Sequence, residues 1–279
     1  MEKGSNGGFD PKKEVFKPLD VSESLERSLG LYGLIAISLS ATLGSTLFVI
    51  PALGADVLAE QGGTGAGLWL AFIVAGVVVL PSALSKAELG TAMPSSGGSY
   101  VYIRQTYGAW MGMISGLGLW ASFGLKSAFA LIGFSAYIYA IQEPLGFEFT
   151  ETISKVIAIF LLSLIVIVNI MGVKSIKKIQ IPIVGISILF ILALTALAAA
   201  DPSFDWVKPV DAEAFSQDGL FSRNGMTNLG TASAFVFLSF AGVTKIAAVA
   251  GEIKSPSENL PKSMSWTLVL ATAIYGLVS

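Results

Sequence analysis

The sequence predicts an all-α, polytopic membrane protein. Mean hydropathy is +0.73 and only 13% of the 279 residues are charged, against about 25% in a soluble domain. Apolar runs of roughly 20 residues, enough to cross a bilayer, recur along the chain. Lys and Arg alternate between dense and sparse links. The N-terminal tail carries five (Lys3, Lys12, Lys13, Lys17, Arg27), and the links after the second, fourth and sixth spans carry two, three and two. The intervening links carry none, one and two. Twelve against three is a positive-inside pattern, which predicts a cytoplasmic N-terminus in a multi-pass plasma-membrane protein.

The elements follow in order. Residues 1–28 form a polar tail without the apolar core of a signal peptide. The first span, 29–58, has a defect at its centre. Ser38, Ser40, Thr42, Gly44, Ser45 and Thr46 crowd together and Pro51 follows. Gly costs a helix about 1 kcal/mol against Ala, and Ser and Thr hydroxyls compete for backbone partners. Two half-helices meeting at a polar break are expected here; small-residue packing against a neighbouring helix is the other reading of the same composition. Unwound backbone at membrane depth survives only where it lines a cavity or is buried in protein, and a broken span is a sequence pointer to a transport site. Further spans are expected at about 68–89, 111–140, 153–171 and 181–200, then an acidic extracellular loop at 201–227. A sixth span at about 228–250 has a polar interruption, Ser239 to Lys245 around Gly242. A seventh begins near 265 and reaches only about 15 apolar residues by Ser279, so a chain truncated after the start of its seventh span is expected.

Composition narrows the function. Cys and His are both absent, which removes thiolate chemistry and the commonest general base and metal ligand. No paired carboxylates lie in the spans. No enzyme activity, cofactor, metal site or nucleic-acid partner is expected; the lipid bilayer is. A channel would need a filter or charged ring, and none stands out.

Ala87 to Gly108, AELGTAMPSSGGSYVYIRQTYG, and Phe237 to Met264, FLSFAGVTKIAAVAGEIKSPSENLPKSM, resemble the signature segments of the amino acid–polyamine–organocation (APC) permeases. Gly44 to Phe48, GSTLF, is similar to that family's break in the first helix, except that Thr46 stands where the family usually has Gly. The resemblance covers about residues 25–279. It implies a LeuT-like inverted-repeat bundle, with a first five-helix repeat at 29–200 and the start of a second at 228–279. It also implies secondary transport of amino acids or related amines by alternating access, ion- or proton-coupled; a non-transporting sensor on the same fold is the alternative, besides a channel.

The resemblance further implies site residues. The substrate carboxylate would meet the N–H groups of Ser45, Thr46 and Leu47 beside Gly44. Its ammonium would meet the carbonyls of Thr42, Leu238 and Ala241, with Gly242, Thr244, Phe48 and Phe240 shaping the pocket. Gly97, Gly98 and Tyr100 would form a cytoplasmic loop, and Glu88 and Glu252 would pair with Arg104, Lys254 or Lys86 at an inner gate, unless they are solvated end charges. Lys126, at the centre of the third span, is a functional candidate by its depth alone. With Lys245, and with Ser187 at the place where some relatives keep a coupling amine, it forms the candidate set for coupling to a proton or sodium ion. Two positive groups near the cavity argue against cationic substrates.

Overall fold

The computed structural model describes residues 27, 29–44, 46–95, 97–146, 151–170, 173–202, 205 and 207–279. Among them the chain is helical, with no β-strand. The helices are α1 (Leu31–Leu43), α2 (Thr46–Glu60), α3 (Leu68–Ala92), α4 (Ser99–Tyr107), α5 (Ala109–Leu145), α6 (Glu151–Ile170), α7 (Val173–Ala199), α8 (Arg223–Val236) and α9 (Pro256–Val278). Among the described residues, Leu68–Ala92, Ile181–Ala199 and Arg223–Ala248 are each long and apolar enough to cross a bilayer, and α1 with α2 makes a fourth such stretch.

The run read as a broken first span is two helices, α1 and α2, bent by 41° to one another. Gly44 closes α1 at φ 34°, ψ −139°, a positive-φ conformation that glycine adopts without a Cβ penalty. Pro51 lies inside α2, past its first turn, where it leaves the Leu47 carbonyl without its helical donor. The interruption around Gly242 takes another form: α8 passes at Phe237 into a 3-10 helix that runs to Ala248. Such helices rarely exceed three or four residues, and longer ones mark hinges or strained sequence.

Packing concentrates around these two interruptions. α1 lies against the 3-10 stretch, α9 and α7; α3 lies against α9, the 3-10 stretch and α8. Leu34, Leu47, Phe72, Phe240, Leu260 and Tyr275 are fully buried there. α5 instead packs mainly on α4 and α6. Gly112 and Gly116 make the α4 contact close, since a Cβ on either would fall within 3.1 Å of Arg104 or Tyr100. The outer faces of α5 to α7 carry exposed Trp120, Phe160, Ile165, Leu189 and Leu197, an apolar surface suited to hydrocarbon.

Several boundaries differ from expectation. The stretch after the second span holds a helix, α4, because SYVYIRQTY lies between the turn-forming Gly98 and Gly108, both at positive φ. α9 begins at Pro256, not near 265: a proline at the first helical position loses no hydrogen bond. α7 begins at Val173, so the basic link 172–180 is largely helical.

Candidate functional site

The break between α1 and α2 ends with carbonyls that no helical N–H can reach. Side chains from α5, α9 and α2 come to them. From α5, the Lys126 ammonium donates to the Ala41 carbonyl at 2.7 Å. From α9, the Tyr275 hydroxyl donates to the Thr42 carbonyl at 3.0 Å. Within α2, the Thr46 hydroxyl lies 2.9 Å from the Thr42 carbonyl, 2.7 Å from the Leu43 carbonyl and 2.6 Å from the Tyr275 hydroxyl. One turn earlier, Thr42 Oγ1 donates back to the Ser38 carbonyl at 2.6 Å. The fully buried Tyr275 ring stacks on Phe72, with centroids 4.8 Å apart, and meets Phe240 edge-on at 5.8 Å. Such aromatic geometry fixes ring orientation as well as burying area.

The 3-10 stretch presses on the same place. A Cβ built on Gly242 would stand 2.3–2.4 Å from Ala41 O, Ala41 C and Thr42 Cα. Only a residue without a side chain permits this backbone-on-backbone approach. Ser38 Oγ reaches the Val243 carbonyl across the junction at a long 3.4 Å. Lys245 turns its ammonium over the Phe123 ring of α5, 4.4 Å from the centroid, within cation–π range. Thr244 accepts from Lys86 of α3 at 3.1 Å.

Beyond the stretch the chain is clasped to other segments by backbone. Gly97 N donates to the Ala248 carbonyl at 3.0 Å, and a Cβ on Gly98 would sit 3.2 Å from Ala248 Cα. Leu29 and Ile253 form an isolated parallel bridge: Leu29 N donates to Glu252 O at 3.1 Å and Lys254 N to Leu29 O at 2.9 Å.

The structure thus brings together Thr42, Gly44, Thr46, Leu47, Gly242, Lys126 and Lys245. Ser45 lies outside the described residues. Leu238 and Ala241 have exposed side chains on the outer side of the 3-10 stretch. The Thr42 carbonyl, expected to be open to a ligand ammonium, is engaged by Tyr275 and Thr46. Glu88 is exposed at the end of α3, and Lys86 turns its ammonium to Thr244. Arg104 Nη1 donates to the Tyr100 hydroxyl at 3.1 Å. Ser187 lies half-buried mid-way along α7. Sequence reasoning missed Tyr275; its one signal is a phenol in an otherwise apolar seventh span. A cavity of about 560 Å³ lined by Trp69, Phe215 and Leu220 lies away from the breaks, between the start of α3 and the loop before α8.

Two interrupted helices crossing at a glycine contact, among apolar helices, define a helical membrane protein with broken spans. The chain belongs to the amino acid permease family of the APC superfamily, whose family model matches residues 29–279. That is a family of permeases, not of enzymes. The chain is 28% identical over 270 residues to the branched-chain amino acid permease BcaP of Bacillus subtilis, covering 92% of this chain and 54% of that protein. It is 28% identical over 254 residues to the serine/threonine exchanger SteT of the same organism, covering 90% and 53%. It is 23% identical over 270 residues to the chloroplastic cationic amino acid transporter 7 of Arabidopsis thaliana, covering 92% and 44%. The chain spans about half the length of these relatives.

Proposed function

We propose that the chain forms part of a secondary transporter that moves amino acids across the cell membrane by alternating access, its N-terminus in the cytoplasm. The observation that carries this reading is the contact of the two breaks: Gly242 lies against Ala41 and Thr42, next to the bend at Gly44. The first turn of α2 has free N–H groups and the positive end of a helix dipole, a natural seat for a carboxylate. Thr46 and Leu47 supply these donors. The Thr42 carbonyl already has donors from the protein, so the substrate ammonium falls to the carbonyls of Leu238 and Ala241, where 3-10 winding gives poorer internal hydrogen bonds. Flux is coupled to a proton or sodium ion, with Lys126 the group placed to respond. Family membership and the named activities of the relatives support transport; the geometry supports the location of the site.

The test uses the complete protein in proteoliposomes. Labelled leucine and serine are expected to exchange across the membrane, faster under an imposed proton or sodium gradient. Gly44→Leu puts a branched side chain at a positive-φ position beside the donors and is expected to abolish binding. Binding without any flux would assign the protein to sensing. Unchanged affinity in Gly44→Leu would refute the site.

A further inference from the structure

We propose that Lys126 and Lys245 together form a cationic filter at the crossing of the two breaks, which admits amino acids with neutral side chains and turns away those with cationic ones. The proposal rests on the transport reading above and names its substrate class. Three contacts place both amines at one spot. Lys126 is bound to the Ala41 carbonyl. Gly242, three residues before Lys245, abuts that same carbonyl. Lys245 sits over Phe123, which is three residues before Lys126 on α5, and positions three apart share a helix face.

Nothing nearby on these elements cancels the charge. Residues 31–43, 109–142 and 237–248 contain no Asp or Glu. The acids of α2, Asp56 and Glu60, lie in its second half, away from the break. Among the described residues neither lysine forms an ion pair; one is held by a carbonyl and the other by a ring face. Held this way the ammonium groups are fixed in place, so while protonated they act as a positive field at the crossing. Every amino acid brings one ammonium and one carboxylate, which the field treats alike for all of them. A side-chain ammonium or guanidinium adds one uncompensated repulsion. Two unit charges roughly 8 Å apart at an effective dielectric near 20 differ by about 30-fold in binding. The named activities of the relatives span neutral and cationic substrates, so the lysines, not the relatives, carry the discrimination.

The experiment is a pair of equilibrium binding titrations on the purified complete protein, with leucine and with arginine, expressed as the ratio of their dissociation constants. The ratio comes from one preparation, so loss of folded protein in a variant cancels. The parent is expected to prefer leucine on the order of 1,000-fold, about 30-fold from each amine. Lys245→Met and Lys126→Met are each expected to shrink the ratio about 30-fold, and Lys245→Arg, which keeps the charge, to preserve it. A ratio unchanged in both Met variants overturns the proposal, as does a parent that binds the two equally. A shrunken ratio in Lys245→Arg as well overturns it in favour of a packing role. A parent that binds neither amino acid overturns the transport reading itself and this inference with it.

Discussion

The two breaks solve one problem in opposite ways. At Gly44 the helix stops within two residues, and its stranded carbonyls are met by side chains: Lys126, Tyr275 and Thr46. Around Gly242 the helix rewinds over twelve residues into a 3-10 form that keeps its own backbone bonds. The first break is therefore held by donors from distant elements, while the second is held by shape, through a glycine pressed on its partner. A site held by donors can be loosened one hydroxyl at a time. A site held by shape fails when volume is added.

The largest expected effect follows from that contrast. Gly242→Leu must displace backbone, because the atoms in the way are Ala41 O, Ala41 C and Thr42 Cα. Overpacking of this kind costs about 1–3 kcal/mol or more. Detergent-solubilised complete protein carrying it is expected to lose amino acid binding outright and to melt well below the parent. Equal melting temperatures would show that the two breaks do not touch.

Tyr275→Phe is the middle case. It keeps the stack on Phe72 and removes one hydroxyl shared between the Thr42 carbonyl and the Thr46 hydroxyl. A buried hydrogen bond lost this way costs about 1–2 kcal/mol. Because Thr46 stays close to the same carbonyls, a loss near the lower figure is expected, with substrate binding little changed. Thermal unfolding and ligand titration on the same variant check both halves.

The smallest effect is expected from Lys86→Met. Its 3.1 Å contact with the Thr244 hydroxyl is only half-buried, and such a contact is worth about 1 kcal/mol or less. The substitution should leave stability nearly unchanged in a thermal melt. A large loss would mean that the 3-10 stretch also depends on side-chain donors, and the contrast between the breaks would fade.

Both breaks were legible in the sequence because their cause is local. The cluster of Ser, Thr and Gly drew attention to the right place, although Ser38, Ser40 and Thr42 stay helical and it is Gly44 that ends α1; Ser239 to Lys245 around Gly242 marks the second break, which is gentler. Lys126 was legible by depth, since a charge at the centre of an apolar run needs a reason. What it binds was not, because a backbone carbonyl looks the same at every residue. Tyr275 was hidden for a different reason: its partners lie 229 and 233 residues away, and one phenol in an apolar span has no periodicity to betray it. Thr46, read as a departure from the family's usual glycine, has a physical role in the fold, since its hydroxyl helps close the break that glycine would leave open. The roles of Glu88 and Glu252 were not legible, because carboxylates at span ends have water as an alternative partner and sequence cannot rank the two.

The Leu29–Ile253 bridge has a consequence for how such a protein can diverge. It joins the entrance of α1 to the exit of the 3-10 stretch through two peptide-to-peptide hydrogen bonds. No side-chain chemistry is written into it, so drift at Leu29, Glu252 or Lys254 leaves the tie standing, and only proline at 29 or 254 deletes a donor. Side chains around the two breaks can therefore change while the fastening between the two interrupted helices persists through the main chain.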